Sequence, residues 1–193
     1  MLNNTIDTQG ASSPEPSTVY VDLRALRNDR VSLVERGSPH SLCLMESGKL
    51  LPGVKVIIAN PETKGQCGDS HLGEIWVQSA HNASGYFTIY GDESDYADHF
   101  NARLVTGNTN EVYARTGYLG FLRRTESVQQ SVISDIPGDT STEADLVPGD
   151  SELHDAVFVV GALDEAILLR GMRYHPIDIE NSVMRCHKKI AEW

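Results

Sequence analysis

The chain is short of the residues that would staple or anchor it. Its three cysteines, Cys43, Cys67 and Cys186, are widely spaced and none falls in a C-x-x-C pair. That pattern offers neither a zinc site nor a disulfide framework. Reduced thiols are expected, and with them a cytoplasmic or nuclear location. Long apolar runs are also missing. The first residues, "MLNNTIDTQGASSPEPST", have no apolar segment, and no later run is long enough to cross a bilayer. Neither a signal peptide nor a membrane span is expected. Basic residues are scarce: 16 Lys and Arg stand against 27 Asp and Glu, a formal charge of −11. A general nucleic-acid binder or a binder of anionic membranes needs basic surface, so both are excluded as expectations. No Gly-rich phosphate cradle occurs anywhere in the chain.

What remains is globular material. At 40% hydrophobic and 22% charged over 193 residues, the chain can bury a core as one domain or two small ones. Residues 1–17 are polar, with Pro14 and Pro16, and are expected to form a disordered leader. "VYVDLRAL" and "VSLVE" are rich in β-branched and aliphatic residues and predict strands. "GVKVIIANPETKG" and "LGEIWVQSA" alternate. They predict two antiparallel strands with one wetter face, Glu74, Trp76 and Gln78 lying opposite Ile75 and Val77.

"HFNARL" predicts a short helical turn. "EVYAR" and "YLGFLRR" flank Thr116-Gly117 and predict a hairpin. Residues 125–154 are rich in Ser, Thr, Asp and Glu and predict a disordered acidic insertion. "DAVFVVG" and "EAILLRG" predict a second hairpin. "HPIDIENSVMRCHKKI" predicts a helix with Pro176 at its first position and Asp178 and Glu180 in the first turn. Its face of Ile179, Val183, Cys186 and Ile190 is expected to be core.

Taken singly, Gly85-Tyr86, Thr116-Gly117 and Arg170-Gly171 read as turns, and His175 as a contact at a helix start. Their order says more. "HLGEIWVQSAHNASGYF", "YARTGYLGFL" and "VVGALDEAILLRGMRYHPIDIE" resemble consecutive motifs of the adenylate-forming superfamily of acyl-CoA synthetases, peptide-synthetase adenylation domains and luciferases. "RGMRYHPIDIE" is similar to the fatty acyl-AMP ligase branch. Together with "VERGSPHSL" and "SGKLLPGVKVIIANPETKG" it resembles, more narrowly, the Disco-interacting protein 2 family, which carries two ligase-like domains in tandem. The likeness covers residues 19–193 apart from the acidic insertion.

The resemblance implies a β-rich α+β fold. Residues 18–124 would form a distorted antiparallel β-barrel subdomain of a large lobe. Residues 155–193 would form a hinge and the first hairpin and helix of a small α+β lobe. It implies a partial domain, because the family's phosphate loop lies upstream and its acyl-phosphate lysine lies near the end of the small lobe. It also assigns nucleotide-site and hinge positions to Tyr118, Ala162, Glu165 and Arg170. In the family an aspartate follows Arg-Thr-Gly and an arginine follows the hinge glycine, and both contact the ribose of ATP. Here Tyr118 and Ala162 stand at those positions, and Glu165 is the acidic hinge residue.

The implied cofactor is ATP or AMP in the complete domain, with none expected for this chain alone. The implied partners are the rest of the domain, a tandem sister domain and a fatty acid or other carboxylate. The expected function is a lipid-metabolism regulatory or scaffold module with weakened ATP binding, and the alternative is part of an active acid–AMP ligase. No catalytic residue is expected in the isolated chain.

Overall fold

A computed structural model describes residues 8–9, 17–86, 98–127 and 152–190. Its main sheet has six strands in the order β1-β4-β8-β7-β6-β5. These are β1 (Thr8–Gln9), β4 (Lys49–Leu50), β5 (Lys55–Ala59), β6 (Gly73–Gln78), β7 (Ala114–Ser127) and β8 (Glu152–Ala162). Every pairing is antiparallel. A separate pair, β2 (Thr18–Asp22) and β3 (Ser41–Met45), packs across one face. The chain is thus β-rich α+β, a curled antiparallel sheet followed by a small hairpin and helix.

The core follows from strand alternation. Val19, Val21, Leu42 and Leu44 point inward from the β2–β3 pair onto Leu119, Phe121, Phe158 and Val160 of β7 and β8. Phe121 and Phe158 are directly opposite in register, and their rings stack 5.1 Å apart. Each such side chain removed from water contributes roughly 1.5–3 kcal/mol. Gly73 and Gly120 face each other between β6 and β7. A Cβ on Gly73 would lie 2.6 Å from the Ala59 carbonyl oxygen, and one on Gly120 would strike the Phe158 carbonyl, so neither position has room for a side chain.

Several expectations need correction. The pair β5–β6 is antiparallel as expected, but it has no wet face. Val56, Ile58, Ile75 and Val77 fill one cluster while Ile57, Ala59 and Trp76 fill another on the opposite side. Alternation could not reveal this, because Trp76 and Glu74 look polar-facing until the layer covering them is known. "VYVDLRAL" divides: the Asp22 carboxylate accepts from the Arg24 N–H and caps a short helix, α1 (Leu23–Leu26). "VSLVE" is no strand. It forms a single bridge, Val21 to Leu33, and is held by scattered backbone bonds from Asp22 N–H to the Ser32 carbonyl, from Val34 N–H to the Tyr20 carbonyl and from Val31 N–H to the Ser70 carbonyl.

"EVYAR" and "YLGFLRR" are not two arms but belong largely to one strand, β7, which continues through Thr116-Gly117. Because β7 pairs with β8 along ten positions, Thr125–Ser127 and Glu152–His154 are strand rather than insertion. The rest of that acidic segment, 128–151, and most of the leader lie outside the described residues. The second hairpin also shifts. β8 joins the main sheet, and β9 (Ile167–Leu169) pairs instead with β10 (Met172–Tyr174). Arg170 and Gly171 connect them with φ of 52° and 78°, the two positive values that a tight two-residue hairpin turn requires.

The second helix, α2 (Pro176–Cys186), starts at Pro176 as expected. It ends four residues early, at an extended His187, before a 3₁₀ turn at Lys188–Ile190. Its apolar face is not core: Ile179, Val183, Cys186 and Ile190 are exposed, and the buried residue of α2 is Asp178. Spacing identified the stripe but not what covers it.

Asp178 is buried because it is held. The Arg27 guanidinium, just past α1, donates to both its carboxylate oxygens at 2.7 and 2.9 Å and lies 4.9 Å from the centre of the Tyr174 ring. A second pair runs the opposite way, from Arg173 to Asp29 at 2.9 Å. The Arg173 backbone N–H donates to the Arg27 carbonyl at 2.7 Å. Each side thus supplies one cation and one anion. His175 is buried beside them, and neither ring nitrogen has a hydrogen-bond partner.

Burial, helped by the Arg173 charge, pushes the His175 pKa below its ordinary value, against the opposing pull of Asp29 and Asp178. The unfolded chain therefore binds the proton more readily than the folded one. Stability from this site is complete above about pH 6.5 and falls as the pH drops through that value. Thermal melts between pH 7.5 and 5.5 should show this loss in the wild type and a flatter dependence in His175→Leu. Equal slopes in the two proteins would remove His175 as the source.

Candidate functional site

The site is built around a carboxylate in the middle of a sheet. Glu74, on β6, is fully buried. It accepts from the Trp76 indole N–H at 3.0 Å, from Arg115 Nε at 3.0 and 3.2 Å, and from the Gly117 backbone N–H at 3.1 Å. A second Arg115 nitrogen lies 2.9 Å from the same carboxylate. The opposite end of Arg115 donates to Asp98 at 2.7 Å, and Asp98 also receives Lys64 at 2.9 and 3.0 Å. Burial works against the charge on Arg115, but its bonds to Glu74 and Asp98 outweigh it and raise its pKa. The hydrogen bond from Lys64 leads in holding the Asp98 carboxyl below the usual range.

This network shapes β7. Arg115 stands opposite Trp76 and Leu119 opposite Glu74, so three residues of β7, Thr116, Gly117 and Tyr118, face the single Ile75 of β6. The segment is a bulge of three residues against one. Gly117 takes φ 74°, which a glycine adopts without strain. The Thr116 hydroxyl donates to the Ile75 carbonyl at 2.7 Å and accepts from the Tyr118 N–H at 3.1 Å. The bulge pushes Tyr118 out of the sheet, where it is half exposed.

A cleft of about 520 Å³ opens there. Its floor is Glu74, Arg115 and the bulge. Tyr86 and His99 form one wall, and Ala162, Leu163 and Asp164 form the other. The Tyr86 ring meets Phe100 edge-on at 5.1 Å. Tyr118 and Ala162 are direct partners across β7 and β8, and the Leu163 N–H donates to the Gly117 carbonyl at 2.8 Å.

Of the four residues singled out from the sequence, then, Tyr118 and Ala162 come together at this cleft. Glu165 and Arg170 are exposed and lie outside its lining. The acidic residue of the connection that does line it is Asp164. Sequence reasoning missed Asp164 and His99. The dipeptide Asp164-Glu165 offers two carboxylates with nothing local to choose between them, and His99 sits beside residues 87–97, which lie outside the described residues.

A smaller cleft of about 200 Å³ lies on the far side of the sheet, lined by Ile58, Cys67, His71 and Phe121 among others. Burial raises the Cys67 pKa, so its thiol is not activated as a nucleophile. Among the described residues no cluster of metal-ligating side chains occurs, and no helix is long and apolar enough to cross a membrane.

Disco-interacting protein 2 of Drosophila melanogaster is 64% identical across 99% of the chain, and Disco-interacting protein 2 homolog A of Homo sapiens is 62% identical across 99%. The chain spans only 13% and 11% of those relatives' lengths. Among solved structures, one from a study of fatty acyl-adenylate ligases of E. coli and L. pneumophila superposes with a TM-score of 0.56. That match is 19% identical and covers 88% of this chain and 23% of the other, so it establishes the fold alone. No family model matches the chain.

Glu74 generates the prediction for this site. Glu74→Ala leaves Arg115 and the Trp76 N–H facing an uncharged gap and should cost about 3–5 kcal/mol in urea unfolding. Glu74→Gln keeps the shape and an acceptor and should cost roughly half as much. A loss below about 1 kcal/mol for Glu74→Ala, the worth of an exposed ion pair, would show that the network does not hold the sheet.

Proposed function

The chain belongs to the Disco-interacting protein 2 family and carries part of a ligase-like fold, and from this we propose that it serves a regulatory or scaffold module of lipid metabolism whose ATP binding is weak. One observation carries the reading: among its described lining residues, the cleft at the bulge has no lysine or arginine free to meet a phosphate. Its arginine, Arg115, is bonded to Glu74 at one end and to Asp98 at the other. The facing strand offers Ala162, and the bulge offers the uncharged Tyr118. The Tyr86 and His99 wall with a polar floor suits the nucleoside end of ATP or AMP. The phosphate end finds no counter-charge among the described lining residues, and a triphosphate held without one is held weakly.

The same reading places the chain inside a larger assembly. Its partners would be the rest of the ligase-like domain and a tandem sister domain, and the ligand of the complete domain would be a fatty acid or other carboxylate. The compartment would be cytoplasmic or nuclear, in keeping with three free thiols among the described residues. The alternative is part of an active ligase forming acyl-adenylates, in keeping with the fold likeness to a structure from a study of fatty acyl-adenylate ligases.

Titration of the full-length protein with ATP decides between them. Weak wild-type binding that tightens about tenfold in Ala162→Arg, roughly 1.4 kcal/mol, is the expected result. Tight wild-type binding, together with fatty-acid-dependent ATP–pyrophosphate exchange, would establish the ligase instead.

A further inference from the structure

We propose that His175 is a proton-operated latch: when its ring takes up a proton, the unit of β9, β10 and α2 lets go of the α1 region while the main sheet stays closed. The unit is attached mainly by polar contacts. From Asp164 to His187 the three buried residues are Arg173, His175 and Asp178, while Ile167, Leu168, Leu169, Val183 and Met184 are exposed. Ile177 and Ala166 add partly buried apolar contacts to the main core. A segment held by two ion pairs, one backbone hydrogen bond and little apolar burial belongs to the part of a fold that opens locally before the rest.

The charges around the ring come from three elements. The α1 region supplies Arg27 and Asp29, β10 supplies Arg173, with Tyr174 against Arg27, and α2 supplies Asp178. Each carboxylate is already taken by a guanidinium, Asp178 by Arg27 and Asp29 by Arg173. With His175 neutral, the joint holds two cations and two anions. A proton on the ring makes it three against two, where neither ring nitrogen has a partner to share it. His175 is also the N-cap residue of α2, an 11-residue helix whose start carries partial positive charge. Burial and Arg173 oppose the proton, and Asp29 and Asp178 favour it more weakly. A buried cation without an acceptor is relieved by reaching water, and here the ring reaches water when β10 and α2 separate from α1. The open joint therefore binds the proton more readily than the closed one. Closure is complete above about pH 6.5 and weakens as the pH falls through that value.

The test is deuterium uptake by the full-length protein at about pH 7.5 and pH 5.5, corrected for the intrinsic pH dependence of amide exchange. Peptides covering 172–179 include the Arg173 N–H that donates to the Arg27 carbonyl at 2.7 Å. Peptides covering 115–123 report the main sheet. Lowering the pH should raise opening about tenfold in the first set, the change that one group titrating near pH 6.5 produces over this range, and less than about twofold in the second. His175→Gln and His175→Leu should each hold the ratio of the two openings near one. The ratio is taken within each variant, so a joint weakened at both pH values does not imitate this result. His40→Gln removes the exposed imidazole that meets Arg24 of α1 and should leave the tenfold response intact. A response that persists in both His175 variants, or that disappears in His40→Gln, would overturn the latch. So would an equal rise in the two sets of peptides, which means the whole fold loosens, or no rise in the wild type.

Discussion

The buried carboxylate of Glu74 is the constraint on which the rest is arranged. An isolated carboxylate taken out of water costs many kcal/mol, and it is tolerated only when its lone pairs are filled. Here they are filled from three directions. The indole comes from the same strand, the guanidinium from the next, and a backbone N–H from the bulge. Each donor is thereby fixed. Trp76 turns its ring into the cluster with Ala102, Leu104 and Tyr113. Arg115 lies 5.8 Å from the centre of that ring and extends to Asp98, which ties Lys64 and the turn after β5 to the same network. A single acid thus coordinates β5, β6, β7 and the segment before Phe100.

The second organising contact lies at the other end of the chain. Arg27 with Asp178 and Asp29 with Arg173 form two ion pairs of opposite sense between the α1 region and the β10–α2 segment. Reciprocal pairs resist sliding, because a shift that shortens one misaligns the other. They are reinforced by the Arg173 N–H to the Arg27 carbonyl. The buried ring of His175 between them makes no hydrogen bond and leaves the charges to do the orienting.

How much of this could be read from the sequence differed by kind of information. Strand material was legible because alternation and β-branched composition are local. So was Pro176 as a helix start, since its φ is fixed by its ring. Strand partners were not: "EVYARTGYLGFLRR" contains a Gly in a Thr-Gly pair, and nothing local distinguishes a hairpin turn from a bulge in a continuous strand. The difference is made by Glu74, 43 residues away, gripping the Gly117 N–H. Burial of Glu74, Trp76 and Asp178 was likewise invisible, because each is buried by a partner distant in the chain. Motif order singled out Tyr118, Ala162, Glu165 and Arg170; of these the fold puts Tyr118 and Ala162 in the lining of one cleft, with Asp164 and not Glu165 beside them.

That contrast explains why a fold of this kind keeps its frame while its chemistry changes. Glu74 bonds to the backbone of Gly117 and to the side chain of Arg115. Thr116 closes the bulge with its hydroxyl on the Ile75 carbonyl. Neither contact involves the side chain at position 118. Position 162 is likewise held by the ladder and not by its own methyl group. Tyr118 and Ala162, which line the cleft, are therefore two residues that the frame does not depend on. A change at either alters what the cleft presents without loosening the bulge that presents it. Substitutions at Glu74, Arg115 or Gly117 carry the opposite consequence, because there the frame and the site are the same atoms.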